Sequence, residues 1–265
     1  AERMTNILHY ELDRKLGSGD MGTVYAAKDT RSGETVALKV LHNIDMQTAM
    51  DRGAAAEVLE FAAGIIHPAM HSVLKVIDSD EQGGVLGVVM PIAAASLYDF
   101  IQNGKKIPPK HIFNIIMTIA DVLANLHQNE IAHGSVKPTN VLIDRQGNAT
   151  LTDLAMAHLR DMGMIPAEPT LLQKHYIQLD LMYHSTPEFA ADIFALATMC
   201  YHMLTYHLPY SDPRPEMRKA QQPSSEGLSM EMYAVLLRGM THRKMLVYPT
   251  VEAFISDFKK AFQQQ

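Results

Sequence analysis

A single cysteine, Cys200, occurs in 265 residues, so no intrachain disulfide can form. Its apolar setting between Leu196 and Leu204 fits a buried thiol in a reducing compartment. Long hydrophobic runs are also missing. No stretch approaches the roughly 18 apolar residues of a membrane span, and the N-terminus shows no signal-peptide pattern. A soluble, cytoplasmic domain with no direct membrane insertion is expected, although such a domain can belong to a longer, membrane-anchored protein. Excess positive charge is absent too: 23 Lys and Arg against 29 Asp and Glu give a net charge of −6, which excludes a broad footprint for nucleic acid or an anionic membrane. Any anion site must be local. Repeats, low-complexity tracts and charge blocks are not found. His67, His133, His158, His175 and His207 show no HxxxH or Cys/His ligand grouping, so no zinc site is expected. What is present is an apolar fraction of 47%, enough for a substantial core, in a length that suits one unit with two lobes around a shared cleft. The 18 methionines sit at scattered apolar positions and read as core filling.

Alternating or β-branched stretches dominate the N-terminal part. Glu11 to Leu16, Thr23 to Lys28 and Glu34 to Leu41 read as strands, with turn chemistry at Thr30 to Gly33. A helical pattern covers about Met46 to Ile66, and further strands are expected near Val73 to Asp78 and Val85 to Met90. Beyond Ser96 the period changes. Ile112, Ile115, Ile116, Ile119, Ala120, Val122, Leu123 and Leu126 recur at helical spacing on so broad a face that this helix should be central. Asp192 to Thr205 is similarly apolar. Val251, Phe254, Ile255, Phe258 and Phe262 mark one face of a last helix that begins at Pro249 and Thr250. Val141 to Ile143 and Ala149 to Thr152 read as short strands around Gln146 to Asn148. Ile165 to Thr170 and Ser211 to Glu226 read as irregular.

The segment Leu16 to Val24 carries Gly17, Gly19 and Gly22 in GxGxxG spacing between two strands. In a dinucleotide fold such a motif would open a helix; here the chain continues as a strand, which favours a flap over phosphates. Glycine is needed where backbone N–H groups must approach phosphate oxygens closely. Lys39 then stands in the apolar strand Val36, Ala37, Leu38, Lys39. Its ammonium is costly to bury unless an anion is near, so it is expected to reach phosphates and a carboxylate from the following helix. Glu57 is the first choice for that carboxylate and Glu60 the second.

Together with His133 to Asn140, Asp153 and the segment from Ser185 to Tyr210, these motifs resemble the bacterial Hanks-type serine/threonine protein kinases over about Tyr10 to Phe262. The resemblance implies an α+β, bilobal protein-kinase-like fold. Residues 1–90 would form a small β-rich N-lobe with one main helix, 91–95 the hinge, and 96–265 a larger, mainly helical C-lobe. It also implies that Asn140 and Asp153 hold Mg²⁺ against the phosphates of ATP, and that Lys137 serves the transfer site. Met90 takes the gatekeeper position, Pro91 offers its carbonyl and Ala93 its N–H to the adenine. Val24, Ala37 and Val141 form the apolar walls. Asp192 matches the aspartate that braces the catalytic loop.

Departures cluster on the acceptor side. The loop HRDxKPxN stands here as His133, Gly134, Ser135, Val136, Lys137, Pro138, Thr139, Asn140, so a neutral serine replaces the catalytic aspartate. Losing such an acid/base group typically lowers rates by about 10² to 10⁴. Gly134 replaces the arginine that reads an activation-segment phosphate, and the metal turn is Asp153, Leu154, Ala155 rather than DFG. Leu172 to Asp180 aligns with the GTxxYxAPE stretch, with Gln173 at the substrate-facing threonine. Asp180 and Tyr248 replace an ion pair and could hydrogen-bond instead. Thr170 is the one hydroxyl residue between Asp153 and Tyr176, and without an arginine at 134 no phosphate switch is expected of it. The expectation is a pseudokinase that binds ATP and Mg²⁺ and acts through a protein partner or cognate kinase. Alternatives are a weakly active serine/threonine kinase or other nucleotide-dependent transferase, and a nucleotide-free scaffold, to which the Asp20 carboxylate in the glycine loop lends slight support.

Overall fold

A computed structural model defines residues 6–18, 21–41, 49–164, 170–179 and 186–265, with the backbone alone for Ala49, Leu171 and Lys244. Six strands form one antiparallel sheet: β1 (Asn6–Ile7), β2 (Tyr10–Ser18), β3 (Gly22–Asp29), β4 (Thr35–Leu41), β5 (Lys75–Ser79) and β6 (Val85–Met90). Their spatial order is β1-β2-β3-β4-β6-β5. The pleat sorts β4 by parity. Val36 and Leu38 enter an apolar cluster with Ile7, Tyr10, Ala27, Ile77 and Val89 on one face, while Ala37 and Leu41 enter a second cluster on the other. The turn at Thr30 to Gly33 forms because the Asp29 carboxylate accepts from the N–H groups of Arg31 and Ser32, and Gly33 takes the left-handed conformation with φ 78°.

Helix α1 (Ala49–Ala63) crosses the second face of the sheet. It ends three residues before the expected Ile66, where Gly64 donates its N–H to the carbonyls of Glu60 and Phe61. Strand β5 is likewise shifted from the expected Val73 to Asp78.

The second lobe contains β7 (Ala95–Ser96), α2 (Leu97–Gln102), α3 (Pro109–Gln128), β8 (Val141–Ile143), β9 (Ala149–Leu151), α4 (Met156–Asp161), α5 (Leu171–His175), α6 (Phe189–Thr205), α7 (Pro215–Arg218), α8 (Met230–Gly239) and α9 (Val251–Phe262). Strands β7, β8 and β9 pair antiparallel in that order. Helix α3 is central as its pattern requires: all eight of its periodic apolar residues are buried, and it packs on α6 and α9. Cys200 is fully buried in α6 among this core, and burial pushes its thiol pKa well up. Helix α9 starts where Pro249 and Thr250 place it, with the Thr250 hydroxyl accepting from Ala253 N–H.

The mixed α+β, two-lobed architecture thus stands as expected. Helices α2, α4, α5, α7 and α8 were not anticipated. They are short or lack a strong apolar period, yet three carry a capping signal: Ser96 and Asp99 form a capping box at α2, Thr170 and Gln173 form one at α5, and Ser229 caps α8.

Close approach of α8 to α6 depends on Gly239, where an added Cβ would stand 2.5 Å from the Ala197 Cβ. Gly239→Ala should therefore destabilise by about 1–3 kcal/mol through overpacking, which outweighs the roughly 0.5–1 kcal/mol that alanine gains in a helix. Urea unfolding will show it as a lower midpoint with an unchanged slope.

Candidate functional site

The cleft between the lobes begins at the β2–β3 hairpin, where Gly17 lies opposite Val24. Gly19 and Asp20 lie outside the described residues. Gly22 is required sterically, since a Cβ there would meet the Val40 carbonyl oxygen at 2.7 Å and the Lys39 Cε at 3.2 Å. Val24 pairs across with Lys39, and Ala37 with Met90. Lys39 Nζ donates to Asp153 Oδ2 at 2.6 Å, with both side chains about nine-tenths buried. Burial raises the Asp153 pKa, but the Lys39 ammonium, helped by Lys137, more than offsets this and holds it below the usual carboxylate range. Asp153 occupies the left-handed region at φ 65°, a costly conformation for a non-glycine residue and one that aims its carboxylate at Lys39.

Glu57 does not meet Lys39, and neither does Glu60. Both carboxylates are exposed, while α1 turns Ala55, Ala56 and Leu59 inward. The reason is α4. Its Met156 and Leu159 pack with those three residues, with Met21 after the glycine loop, and with Leu86, Val88 and Met90. A carboxylate on that side would be desolvated against apolar groups. The anion that neutralises Lys39 therefore comes from the other lobe.

The loop from His133 to Asn140 is held from below by Asp192, itself only 1% exposed. Its Oδ2 accepts from the His133 N–H and its Oδ1 from the Gly134 N–H, each at 2.8 Å, and His127 Nε2 also reaches Oδ2. His133 is fully buried: its Nε2 donates to the Thr152 carbonyl and its Nδ1 accepts from the Ser135 N–H. Burial lowers its pKa, which favours the neutral ring that this pattern requires. Asn140 Nδ2 donates to the Ser135 carbonyl at 2.8 Å, leaving its amide oxygen as an acceptor. Ser135 is buried. Gly134 sits at φ 78°, and a Cβ there would fall 2.5 Å from the Ala157 Cβ and 3.1 Å from the Pro187 Cβ. Glycine at 134 is thus a packing requirement.

At the hinge Met90 is buried, its Sδ accepting from the Thr152 hydroxyl at 3.7 Å. Val141 is buried opposite Leu151, and Ala93 is half-buried. Sequence reasoning missed His71. Its Nε2 donates to the Pro91 carbonyl at 2.9 Å and its Nδ1 meets the Thr150 hydroxyl at 3.0 Å, so it ties the hinge to β9. The Pro91 carbonyl offered to an adenine already accepts one hydrogen bond. His67 and His71 do form an HxxxH spacing, contrary to the expectation, but His67 turns to Asp121. Among the described residues no His, Cys, Asp and Glu cluster could hold a metal ion.

The segment before Asp180 is pinned by side chains. Thr170 and Gln173 form the capping box of α5, so Gln173 serves the helix start. Tyr176 meets His202 Nδ1 at 2.6 Å, and Gln178 Nε2 donates to the Thr241 carbonyl. Arg218, fully buried, donates from Nη1 to the carbonyls of Lys174 and Ile177 and stacks on Tyr210. Nothing in the local sequence marks Arg218, whose role depends on where α7 docks. Asp180 lies outside the described residues. The Tyr248 hydroxyl, offered to it from the sequence, donates to Asp257 at 2.9 Å, with the Arg238 guanidinium 4.0 Å from its ring centre.

The donor set suits the expected ligands. The Asp153 carboxylate and the free amide oxygen of Asn140 are hard oxygen ligands appropriate to Mg²⁺, and Lys39 with the glycine-rich hairpin offers positive charge and backbone amides to phosphates.

Residues 10–258 match the family described as protein kinase domain. The serine/threonine-protein kinase PrkC of Bacillus subtilis (strain 168) is 26% identical over 265 residues, covering 96% of this chain and 40% of that protein. Pkn2 of Myxococcus xanthus, also a serine/threonine-protein kinase, is 29% identical over 238 residues, 84% of this chain and 28% of that protein. This chain thus spans less than half the length of these relatives. The crystal structure of the Mycobacterium tuberculosis PknI kinase domain aligns with a TM-score of 0.74 at 22% identity, covering 97% of both chains, and shows the fold.

Two outcomes follow from the packing. Gly134→Ala, and equally Gly134→Arg, should destabilise by on the order of 2 kcal/mol or more, since the side chain meets both a left-handed backbone and Ala157; chemical denaturation reads this directly. Burial lowers the pKa of His175, with help from the Arg218 charge, and of His202, with help from His207, each to about 4. Between that value and the ordinary 6.5 the unfolded chain takes up protons that the folded chain refuses, so stability should fall as pH drops from 7 towards 4. His202→Gln should remove up to about 1.4 kcal/mol per pH unit from that slope.

Proposed function

This chain belongs to the protein kinase domain family, and within it we propose a module that binds ATP with Mg²⁺, is impaired in phosphoryl transfer, and signals by docking to a partner protein or cognate kinase. One observation carries the reading. The groups that serve a nucleotide stand together in the cleft, with Lys39 on Asp153 and Asn140 oriented by the Ser135 carbonyl, while the position of the base is Ser135. A hydroxyl is neutral, a poor base at neutral pH and shorter than a carboxylate, so it is poorly suited to take up or orient the acceptor's proton.

In this reading Mg²⁺ neutralises phosphate charge when bound. The chain's own residues do the positioning: Lys39 offers its ammonium, Gly17 and Gly22 let backbone approach, Val24, Ala37 and Val141 exclude water from the base, and Asp192 keeps the loop rigid. The pinned segment around Gln173 and Arg218 supports a module that needs no activation-segment phosphate, consistent with Gly134 in place of an arginine.

A second reading, a nucleotide-free scaffold, draws support from Met21. It is buried in the apolar cluster with Met156 and Leu159, and Lys39 is already neutralised by Asp153, so a nucleotide must compete with that ion pair.

Calorimetric titration with MgATP separates the two. Saturable binding that Lys39→Met weakens at least about tenfold supports the module, and no heat for the wild type supports the scaffold. Transfer from γ-labelled ATP to generic serine and threonine acceptors, with Asp153→Ala as the blank, should lie about 10²–10⁴ below an active kinase. Robust wild-type transfer would overturn the impairment.

A further inference from the structure

We propose that His71 is a specificity-determining residue of the cleft: by occupying the Pro91 carbonyl it withdraws that hinge acceptor from a bound base, so the cleft takes purine nucleotides without reading the 6-amino group. The inference rests on the nucleotide-binding reading above and names which part of the base the site recognises.

The hinge has few polar groups to offer. Pro91 lacks an N–H and contributes only its carbonyl. That oxygen meets His71 Nε2 at 2.9 Å, while Nδ1 of the same ring meets the Thr150 hydroxyl at 3.0 Å. Burial lowers the His71 pKa against the opposing pull of the Pro91 carbonyl and the Asp153 charge, so the ring is neutral at pH 7 and has one donor and one acceptor. A carbonyl can only accept. This fixes the proton on Nε2 and makes the Thr150 hydroxyl the donor to Nδ1.

The backbone holds the ring in place. His71 donates its N–H to the Leu151 carbonyl at 2.9 Å, and Leu151 donates its own to the Ala69 carbonyl at 2.8 Å. On the hinge side, the Thr152 hydroxyl donates to the Sδ of Met90, the residue before Pro91. Both partners of the contact are therefore anchored to residues 150–152, and the bond between His71 and Pro91 is part of the fold. An arriving 6-amino group must share the oxygen with the imidazole or strand a partly buried N–H, and either cancels most of what the new hydrogen bond supplies. Base recognition then falls to the N–H of Ala93, which matches an unprotonated ring nitrogen, a group that adenine shares with unsubstituted purine.

Calorimetry on the full chain with Mg²⁺ compares ATP with purine riboside triphosphate, which carries hydrogen in place of the 6-amino group. The two should bind the wild type within about twofold of each other. His71→Leu frees the carbonyl, and ATP should then bind about threefold to tenfold more tightly than the purine analogue, the range of one neutral hydrogen bond. Ribose and phosphates are common to both ligands, so a general loss of fold or affinity does not move this ratio. Thr150→Val removes the other contact of the ring and keeps the Nε2 donor, so its ratio should stay at the wild-type value. Nitrogen NMR of the chain without nucleotide should find the His71 proton on Nε2 at pH 7. A wild type that prefers ATP by about threefold or more, an unchanged ratio in His71→Leu, an equal rise in Thr150→Val, or a proton on Nδ1 overturns the inference alone. Binding of neither nucleotide overturns the nucleotide reading and the inference with it, so the two failures are distinguishable.

Discussion

The buried pair between Lys39 and Asp153 is the contact on which the cleft depends. Lys39 sits in the sheet lobe and Asp153 follows β9 in the helical lobe, and the two meet at 2.6 Å. Burying either charge alone would cost several kcal/mol, so each lobe needs the other to supply its counter-ion. With Asp153 in that role, α1 owes the cleft no carboxylate. The helix is free to present Ala55, Ala56 and Leu59 inward, and α4 fills the space with Met156 and Leu159. The outward direction of Glu57 descends from the same arrangement.

A different logic holds the loop beneath. Asp192 collects two backbone N–H groups and His127 in one buried carboxylate, and His133 spends both ring nitrogens on the backbone around it. None of these contacts involves the side chain of Ser135. The loop can keep its geometry while the residue at the base position changes, because the scaffold and the acid/base group are carried by different atoms. Gly134 shows the reverse coupling. Once Ala157 and Pro187 close on that position, a side chain no longer fits, and the structure absorbs the absence of an arginine into its packing.

Arg218 makes a similar substitution at longer range. Loss of an ion pair between the segment near residue 180 and the region of Tyr248 would leave the end of α5 without a brace. Arg218 supplies one by donating to the carbonyls of Lys174 and Ile177, at and just beyond the C-terminal end of the helix, where backbone acceptors run out of intrahelical donors. Tyr248 meanwhile turns to Asp257 and Arg238 within its own region.

The sequence by itself determined the two-lobed α+β plan, the positions of β2 to β4, β6, α3, α6 and α9, and the order of the cleft residues. These follow from periodicity and from motifs whose spacing is local: the apolar stripe of α3, the proline and threonine before α9, the glycines near Lys39. It also carried the capping boxes at Ser96 and Thr170, signals only as long as one helical turn. Tertiary structure alone decided which carboxylate faces Lys39, because rotating α1 by one or two residues exchanges Glu57 for Ala56 at no cost in helical pattern. It alone decided that His71 latches the Pro91 carbonyl, that Arg218 braces α5, and that position 134 has no room for a side chain. Each of these is a meeting of residues far apart in the chain, fixed by how whole elements pack, and local periodicity is blind to such distances.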